Sequence, residues 1–212
     1  MSTLTNTRRE YDSASLKRSQ LDTNPFKQMA SWLEQAQQAE LKDATAMTLA
    51  TAGSDGMPDA RIVLLKQFDE DGFYWYTSYK SPKGQQLAEN GQACLLFYWR
   101  EFDRQVRIQG NIEKLSITKA EEYFHSRPLD SQFSAAASEQ SQAIDSRATL
   151  EAKVDALQNI NANSVARPED WGGYRLIPST IEFWQGRENR LHDRFRYTLS
   201  DTKNWLITRL QP

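Results

Sequence analysis

Residues 60–78 read ARIVLLKQFDEDGFYWYTS, and this stretch decides the fold class. A β-branched and aliphatic run precedes the short acidic segment DEDG, and an aromatic run follows it. Two such runs separated by a turn predict antiparallel strands joined by a hairpin. The pattern continues on both sides, with further strands predicted in TAMTLATA (45–52), QACLLFYWR (92–100) and RQVRIQGNIEKL (104–115).

Helices and a second group of strands complete the predicted order of elements. A helix is expected from about Pro25 to Lys42, capped by Asn24, and Ser81 and Pro82 begin a short one. Two further helices are expected in TKAEEYFHSR (118–127), with a capping box of Thr118 and Glu121, and in SRATLEAKVDALQNI (146–160), capped by Ser146. Strands resume in GGYRLIP (172–178), TIEFWQ (180–185), RLHDRFRYTL (190–199) and NWLITRL (204–210).

These elements predict an α+β fold dominated by a barrel-like antiparallel sheet. Residues 1–23 are polar and charged, so we interpret them as an arm, with residues 24–212 forming a single domain. A chain of 212 residues is long enough for one sizeable core.

Composition excludes several classes of function. The net charge is −2, which argues against a nucleic-acid partner. One cysteine and two histidines allow no intramolecular disulfide and disfavour a structural metal site, so no metal is expected. No segment has the length of a membrane span and no apolar leader is evident, so we expect no membrane partner and a cytoplasmic location.

The segment WQGRENRLHDRF (184–195) concentrates cations between aromatic residues. If it is a strand, alternation puts Arg190, His192 and Arg194 on one face. Such a row either faces solvent, with Glu188 and Asp193 as counterions, or faces a bound anion. Alternation by itself leaves both interpretations open.

A second cationic segment is YFHSRPLDSQ (123–132). Tyr123 and Arg127 are four residues apart and share a helix face, Pro128 ends that helix, and Ser131 is placed to cap the next one. These groups suit a phosphate. Taken alone, an ordinary helix end is the more frequent explanation, and His125 is interpreted as structural.

Two further segments carry groups suited to anions. In RIVLLK (61–66), Arg61 and Lys66 fall on opposite faces of a regular strand, so either a bulge realigns them or they serve different anions; two cations at the ends of a buried strand are the commoner case. In YTSYKSPKG (76–84), hydroxyls and Lys83 precede a helix, but the triphosphate-loop spacing is absent. No nucleophile or zinc motif appears, which favours chemistry supplied by a cofactor.

Five motifs in order connect these segments to a known family. RREY (8–11), RIVLLK, YFHSRPxxSQ, WGGYR and IEFWQG…RLHDRF together resemble the pyridoxamine 5'-phosphate oxidase family over nearly the whole chain. The resemblance implies a homodimeric, FMN-binding split β-barrel with peripheral helices and FMN at the subunit interface. It further implies oxidation of pyridoxamine 5'-phosphate or pyridoxine 5'-phosphate to pyridoxal 5'-phosphate, with O2 reduced to H2O2.

The resemblance also implies which residues form the site. The implied flavin contacts are Arg61, Ile62, Val63, Leu64, Leu65, Lys66, Tyr76, Thr77, Lys83, Gln105, Gln140, Ser141, Trp184 and Arg194. The implied substrate contacts are Arg8, Arg9, Glu10, Tyr11, Lys66, Tyr123, Arg127, Ser131, Arg190, Leu191 and His192. Of these, Arg190 and His192 are the implied catalytic residues facing the pyridine ring, and RREY is implied to close over it.

Two departures from the family pattern bear on the cofactor. Pro82 stands where relatives usually carry arginine, and SAAASEQS (134–141) lacks a glycine and a tryptophan common there. The first removes an expected contact to the FMN phosphate, and the second affects packing beside Gln140 and Ser141. The alternatives are a non-catalytic FMN or pyridoxal-phosphate carrier on this fold, and a related flavin reductase with another substrate.

Overall fold

The computed structural model describes residues 9–11 and 14–212. In this part of the chain nine strands form a single sheet in the order β2-β1-β5-β6-β7-β4-β3, with β8 paired to β7 and β9 to β8. The strands are β1 (Ala46–Ala52), β2 (Pro58–Leu64), β3 (Gln67–Asp69), β4 (Gly72–Ser78), β5 (Gln92–Trp99), β6 (Arg104–Lys114), β7 (Trp171–Gln185), β8 (Asp193–Leu199) and β9 (Trp205–Leu210).

Five helices accompany the sheet in the described residues. They are α1 (Pro25–Gln38), α2 (Pro82–Glu89), α3 (Ile117–Ser126), α4 (Leu129–Ala137) and α5 (Arg147–Ile160). Every strand pair is antiparallel, and the predicted α+β class with an antiparallel half-barrel sheet and peripheral helices is confirmed. None of the helices in this described part combines the length and apolar character needed to cross a bilayer.

Strand β7 is the longest strand and organises the sheet. One of its edges pairs with β6 from Tyr174 to Gln185. The other edge is divided, because residues 171–176 pair with β4 whereas residues 180–185 pair with β8. The two stretches predicted as separate strands, 172–178 and 180–185, are therefore one strand. Pro178, which has no N–H to donate, lies between the two pairing regions, where its missing donor costs no ladder bond to β4 or β8.

The core lies between the concave face of the sheet and α1. Met29, Trp32 and Ala36 on α1 are almost completely buried, and the Trp32 ring meets the Phe183 ring edge to face at 5.1 Å. Aromatic side chains of this kind bury large apolar areas, which stabilises the curled sheet. Leu16 and Leu21, within the predicted arm, are also buried in this core.

Helix boundaries agree with the sequence pattern at two caps and differ at three places. Asn24 accepts a hydrogen bond from the Phe26 amide and caps α1, and Ser146 caps α5 through the Thr149 amide. Helix α1 ends at Gln38 rather than Lys42 because Glu40 adopts a left-handed conformation (φ 53°).

The other two differences lie around α3 and α4. Ser116 caps α3 by accepting from the Lys119 amide, one residue before the helix begins, so the predicted capping box at Thr118 is wrong. Ser131 lies inside the first turn of α4, which begins at Leu129, so its predicted capping role is wrong as well. The proline at 128 allows the new helix to start at once.

Two further differences concern strands that carry predicted site residues. The strand expected from Arg190 begins only at Asp193, because Glu188–Arg190 form a 3-10 turn in which Asn189 and Arg190 have φ of 53° and 60°. Alternation therefore does not place Arg190 and His192 on the face of Arg194. In RIVLLK, no bulge realigns the cations: the Leu65 amide donates to Thr45 and the Lys66 amide to Tyr74, so the chain changes partner strand there.

We predict that Gly110→Ala destabilises the protein, because a Cβ at this position would lie 1.9 Å from the Ile177 carbonyl oxygen at the β6–β7 register shift. The expected loss in the free energy of unfolding is about 1–3 kcal/mol, measured by chemical denaturation. Gly91→Ala is the matched control, since nothing lies within 4 Å of its Cβ. Equal stability of the two variants would contradict the close approach.

Candidate functional site

A cavity of about 1070 Å³ lies between β2, β4, the start of α2 and the α3–α4 corner. Ligand pockets usually measure about 300–1,000 Å³, so this cavity has room for more than one small ligand. Many of the residues predicted from the sequence line it together: Arg61, Ile62, Val63, Leu64, Lys66, Tyr76, Thr77, Lys83, Tyr123, Arg127, Ser131, Gln140 and Ser141. The Leu65 side chain is instead buried in the core.

One wall of the cavity carries Arg61 and Lys83. The Lys83 ammonium is buried and donates to the Thr77 and Ser81 hydroxyls, each at 3.2 Å. Burial lowers the pKa of Lys83, and the nearby Arg61 lowers it further, while Asp59 opposes this. In the described residues no carboxylate lies within ion-pair distance of this ammonium, so a buried cation here is suited to a bound anion.

A second cationic group lies at the α3–α4 corner. The Arg127 guanidinium lies over the Trp171 ring at 4.9 Å, and its Nη2 donates to the Ser131 carbonyl oxygen at 2.9 Å. Its Nη1 is buried and has no hydrogen-bond partner in the part of the chain that the structure describes. Burial lowers the pKa of Arg127, although the side chain stays charged. The guanidinium therefore keeps one nitrogen whose hydrogen-bonding capacity no described residue satisfies.

An aromatic stack forms the floor between these two groups. The rings of Tyr76 and Tyr123 are stacked at 3.7 Å, and Tyr76 also stacks on Trp171 at 5.7 Å. Tyr76 lies opposite Gly173 in the β4–β7 register, and a Cβ at Gly173 would be 2.7 Å from the Tyr76 ring. The glycine therefore makes room for the stack. Burial raises the pKa of Tyr123, while Arg127 opposes the change.

The segment around Gln140 closes the cavity beside β4. The Gln140 side-chain oxygen accepts from the Thr77 hydroxyl at 2.8 Å and from the Ser78 amide at 3.1 Å. Ser141 adopts a left-handed conformation with φ of 70°. These bonds hold the segment against β4 even though SAAASEQS lacks the glycine and tryptophan of the family pattern. Pro82 lines the same cavity as the first residue of α2 and offers no charge there.

The remaining predicted residues form a second cluster elsewhere. The rings of Tyr11, Trp184 and His192 contact one another, with centroids 4.7 to 5.6 Å apart. The Arg187 amide donates to His192 Nδ1 at 3.1 Å, so the imidazole is neutral and carries its proton on Nε2. Burial lowers the pKa of His192, and Arg190 and Arg194 lower it further. Nε2–H is therefore the donor that His192 offers to a ligand.

Buried charge orients the arginine of this cluster. Arg194 donates through Nε and Nη2 to one oxygen of Glu182, at 2.9 and 2.8 Å, and Glu182 also pairs with Arg107. Glu182 is only 3% exposed, so two cations compensate the cost of burying its charge. Gln105 lies opposite Trp184 in the β6–β7 register.

The N-terminal segment lies across the second cluster. Arg9 pairs with the buried Asp103 and donates to the Arg100 carbonyl oxygen at 3.0 Å, and the Asn189 amide donates to Glu10 at 3.3 Å. Arg190 and Leu191 are exposed beside it. The prediction for Arg8 falls outside the described residues.

The cavity and the second cluster lie at opposite ends of β7. Trp171 lines the cavity and Trp184 belongs to the second cluster, and the strand between them has a path of about 40 Å at its usual rise per residue. The described residues of the second cluster do not line the cavity: these are Arg9, Glu10, Tyr11, Gln105, Trp184, Arg190, Leu191, His192 and Arg194. One chain therefore brings together only part of the predicted site.

Three residues at these sites were not found from the sequence. Asp59 lines the cavity on the same face of β2 as Arg61, and Trp171 stacks in its floor. Glu182 holds Arg194. Alternation along β2 and β7 is a signal that could have placed Asp59 beside Arg61 and Glu182 on the face of Trp184. No sequence signal joins Trp171 to Tyr123, because their contact depends on how α3 packs.

The chain is similar to known proteins over its whole length. Residues 33–161 match the family profile described as "Pyridoxamine 5'-phosphate oxidase", and residues 171–212 match "Pyridoxine 5'-phosphate oxidase C-terminal dimerisation region". The chain is 52% identical over 212 residues to the pyridoxine/pyridoxamine 5'-phosphate oxidase of Paraburkholderia phymatum, covering 100% of both chains. It is 50% identical to the enzyme of the same name from Trichormus variabilis, covering 99% of each.

Two solved structures extend the comparison. PhzG from Burkholderia lata, in complex with tetrahydrophenazine-1-carboxylic acid, superposes with a TM-score of 0.89 at 32% identity, covering 96% of this chain and 100% of that one. A pyridoxamine 5'-phosphate oxidase-related, FMN binding protein from Nostoc punctiforme has a TM-score of 0.72 at 16% identity, covering 89% and 98%. The second likeness shows a shared fold.

We predict that nitrogen NMR at pH 7 finds His192 neutral with its proton on Nε2, and a pKa below its ordinary value of about 6.5. The unfolded state then binds the proton first as pH falls, so the free energy of unfolding decreases below about pH 6.5. His125→Gln leaves a single histidine and assigns the signals. A protonated ring, or a proton on Nδ1, would contradict the bond from Arg187.

Proposed function

The chain belongs to the pyridoxamine 5'-phosphate oxidase family, and we propose that it oxidises pyridoxamine 5'-phosphate and pyridoxine 5'-phosphate to pyridoxal 5'-phosphate. FMN is the cofactor and O2 the electron acceptor. The alcohol and O2 give the aldehyde and H2O2; the amine additionally consumes water and releases ammonium. This reaction serves the formation and salvage of the pyridoxal cofactor.

One observation carries the proposal: two separate cationic groups face the same large cavity. Arg61 and Lys83 form one, and Arg127, with Tyr123 and Ser131 beside it, forms the other. Two phosphates, one on the cofactor and one on the substrate, match this arrangement. A carrier of a single phosphorylated ligand has no use for both.

The residues present fit FMN. The Lys83 ammonium, buried among hydroxyls, and Arg61 suit the flavin phosphate, while Thr77 and Gln140 offer hydrogen bonds along β4. Pro82 adds no cation, so Lys83 and Arg61 carry the charge that three basic residues would otherwise share. FMN held by these residues would supply the two-electron oxidation of the substrate's C4' carbon, with O2 as the final electron acceptor.

The second cationic group suits the substrate phosphate. The Arg127 guanidinium lines the cavity with one nitrogen unpartnered in the described residues, which suits a phosphate, and the start of α4 at Leu129 adds backbone donors near Ser131. Lys66, exposed at the cavity wall, supplies a further cation. Tyr123 offers its hydroxyl, which stays protonated because burial raises its pKa. These groups hold the substrate by its phosphate and leave its ring to other residues.

We propose that those other residues come from a partner subunit. Five residues of the second cluster lie in β7, β8 and the turn between them, within the region whose profile is named for dimerisation: Trp184, Arg190, Leu191, His192 and Arg194. A homodimer that places this end of one chain against the cavity of the other completes the site with FMN at the interface. This explains why one chain divides the predicted residues between two places.

In the completed site, Arg190 and His192 act on the pyridine ring. The guanidinium of Arg190 covers the ring and holds C4' in the orientation that electron transfer requires. His192 donates a hydrogen bond from Nε2–H to a ring substituent, and its lowered pKa keeps the imidazole neutral. Glu182 holds the Arg194 guanidinium in place, and Arg194 would contact the flavin in the completed site. No residue has to act as a strong base for this chemistry.

We predict that the purified protein shows a flavin spectrum with FMN and turns over pyridoxamine and pyridoxine 5'-phosphates aerobically, with aldehyde and peroxide formed in equal amounts. Arg127→Met should raise KM for these substrates by about 10- to 100-fold, the value of a lost charged hydrogen bond. Arg147→Met, on the exposed face of α5, is the control.

The outcomes of this assay separate the alternatives. Bound FMN without aldehyde or peroxide would support the carrier. Turnover of a tetrahydrophenazine carboxylate in preference to the phosphates would support a PhzG-like substrate. A protein that binds no FMN would contradict the proposal.

We predict that Arg190→Ala lowers kcat far more than it weakens FMN binding, because its guanidinium holds the ring rather than the cofactor. When the Arg190→Ala and Arg127→Met chains are co-expressed, mixed dimers contain one intact site. At substrate concentrations well below the KM of wild type, where both single variants are nearly inactive, statistical pairing then restores about a quarter of the wild-type activity per subunit. No recovery in isolated mixed dimers would contradict a site shared between subunits.

A further inference from the structure

Asp59 places a carboxylate next to Arg61, which together with Lys83 forms the first cationic group of the cavity. Asp59 and Arg61 are two residues apart in β2, so they share a face, and both line the cavity. The Asp59 carboxylate forms an ion pair with Nη2 of Arg61. It also accepts a hydrogen bond at 3.2 Å from the side-chain amide nitrogen (Nε2) of Gln86, a residue of α2. One side of the Arg61 guanidinium is thus in contact with an acid that lines the same cavity.

Arg61 does not depend on this acid for its position. Its Nη1 donates to the Leu49 carbonyl oxygen at 3.1 Å and to the Thr51 hydroxyl at 2.6 Å, and its Nη2 also reaches the Gln86 oxygen at 3.3 Å. These contacts come from β1 and α2. Removing the carboxylate therefore leaves the guanidinium anchored.

Asp59 is the more exposed partner of the pair. Its side chain is 44% exposed, against 19% for Arg61. The Gln86 hydrogen bond lowers the pKa of Asp59, burial opposes this, and Arg61 lowers it further, so the carboxylate is charged at neutral pH. An exposed carboxylate on a strand can turn to water at little cost when a stronger ligand arrives.

Resting on the proposed function, we propose that Asp59 is a built-in competitor for the FMN phosphate. Its carboxylate pairs with Arg61 and partly offsets the positive charge around Lys83. A phosphate dianion contacts both cations and displaces it, whereas a monoanion that contacts one cation gains less. Asp59 therefore lowers the affinity for the cofactor and sharpens selection for a phosphate over smaller anions.

The test compares Asp59→Asn with wild type, using full-length protein freed of flavin. FMN and riboflavin are titrated by quenching of flavin fluorescence. We expect FMN to bind the variant about three- to tenfold more tightly, the range for removing one partly exposed charge, and riboflavin binding to change less than about twofold. Asp201→Asn, an equal charge change in the turn between β8 and β9, should leave both affinities unchanged.

Three results would overturn the inference. FMN binding that is unchanged or weaker in Asp59→Asn would show that the acid does not compete, and an equal gain for riboflavin would show that the effect does not involve the phosphate. The same gain in FMN affinity in Asp201→Asn would show that the effect comes from the change in net charge alone. Asp59→Ser repeats the comparison should Asn at this position impair folding.

A titration with inorganic phosphate separates this inference from the proposed function. Phosphate should raise the thermal unfolding midpoint of Asp59→Asn at lower concentration than that of wild type. This result would stand even if wild-type protein bound no FMN, an outcome that would contradict the proposed function alone. Equal phosphate dependence in the two proteins would overturn the role of Asp59.

Discussion

The division of one edge of β7 between two partner strands is the constraint on which the rest of the structure depends. Antiparallel ladders require each backbone donor to find an acceptor, and β7 satisfies this with β4 at its beginning and β8 at its end. The gap between them contains Pro178, which has no donor to satisfy. Because of this division the sheet continues through β4 at the beginning of β7 and through β8 at its end. The beginning of β7 therefore lies at the cavity, and its end carries the cluster around His192.

Charge is managed differently at these two ends. At the second cluster, Glu182 is buried and pairs with two arginines, so breaking the set would leave an unpaired charge away from water. At the cavity, Lys83 is buried without a carboxylate partner in the described residues, and Arg61 has one that is partly exposed. The first arrangement holds a side chain in place, whereas the second leaves cations available to a ligand. Structural and ligand-binding arginines are distinguished here by the exposure of the acid beside them.

The sequence predicted much of the fold but placed the site only in part. Alternation and turn residues were sufficient for β1, β4, β5 and β6, and side-chain chemistry was sufficient for the caps at Asn24 and Ser146. The run expected as one strand before DEDG is instead divided into β2 and β3, which pair with different strands. The regular strand expected through Arg190 was wrong, because two left-handed residues in succession are not signalled by their side chains. The roles assigned to individual site residues remain predictions. What the structure adds is their distribution over two separate places.

The amino-acid sequence by itself determined the α+β class, the strand-rich middle of the chain and the family, because local patterns and motifs carry that information. Only the tertiary structure decided that Tyr76, Tyr123 and Trp171 stack, that Asp59 engages Arg61, and that His192 accepts a backbone hydrogen bond. The physical reason is that these contacts join residues far apart in the chain or set by turn geometry. They follow from how strands pair and helices pack, which no local periodicity specifies.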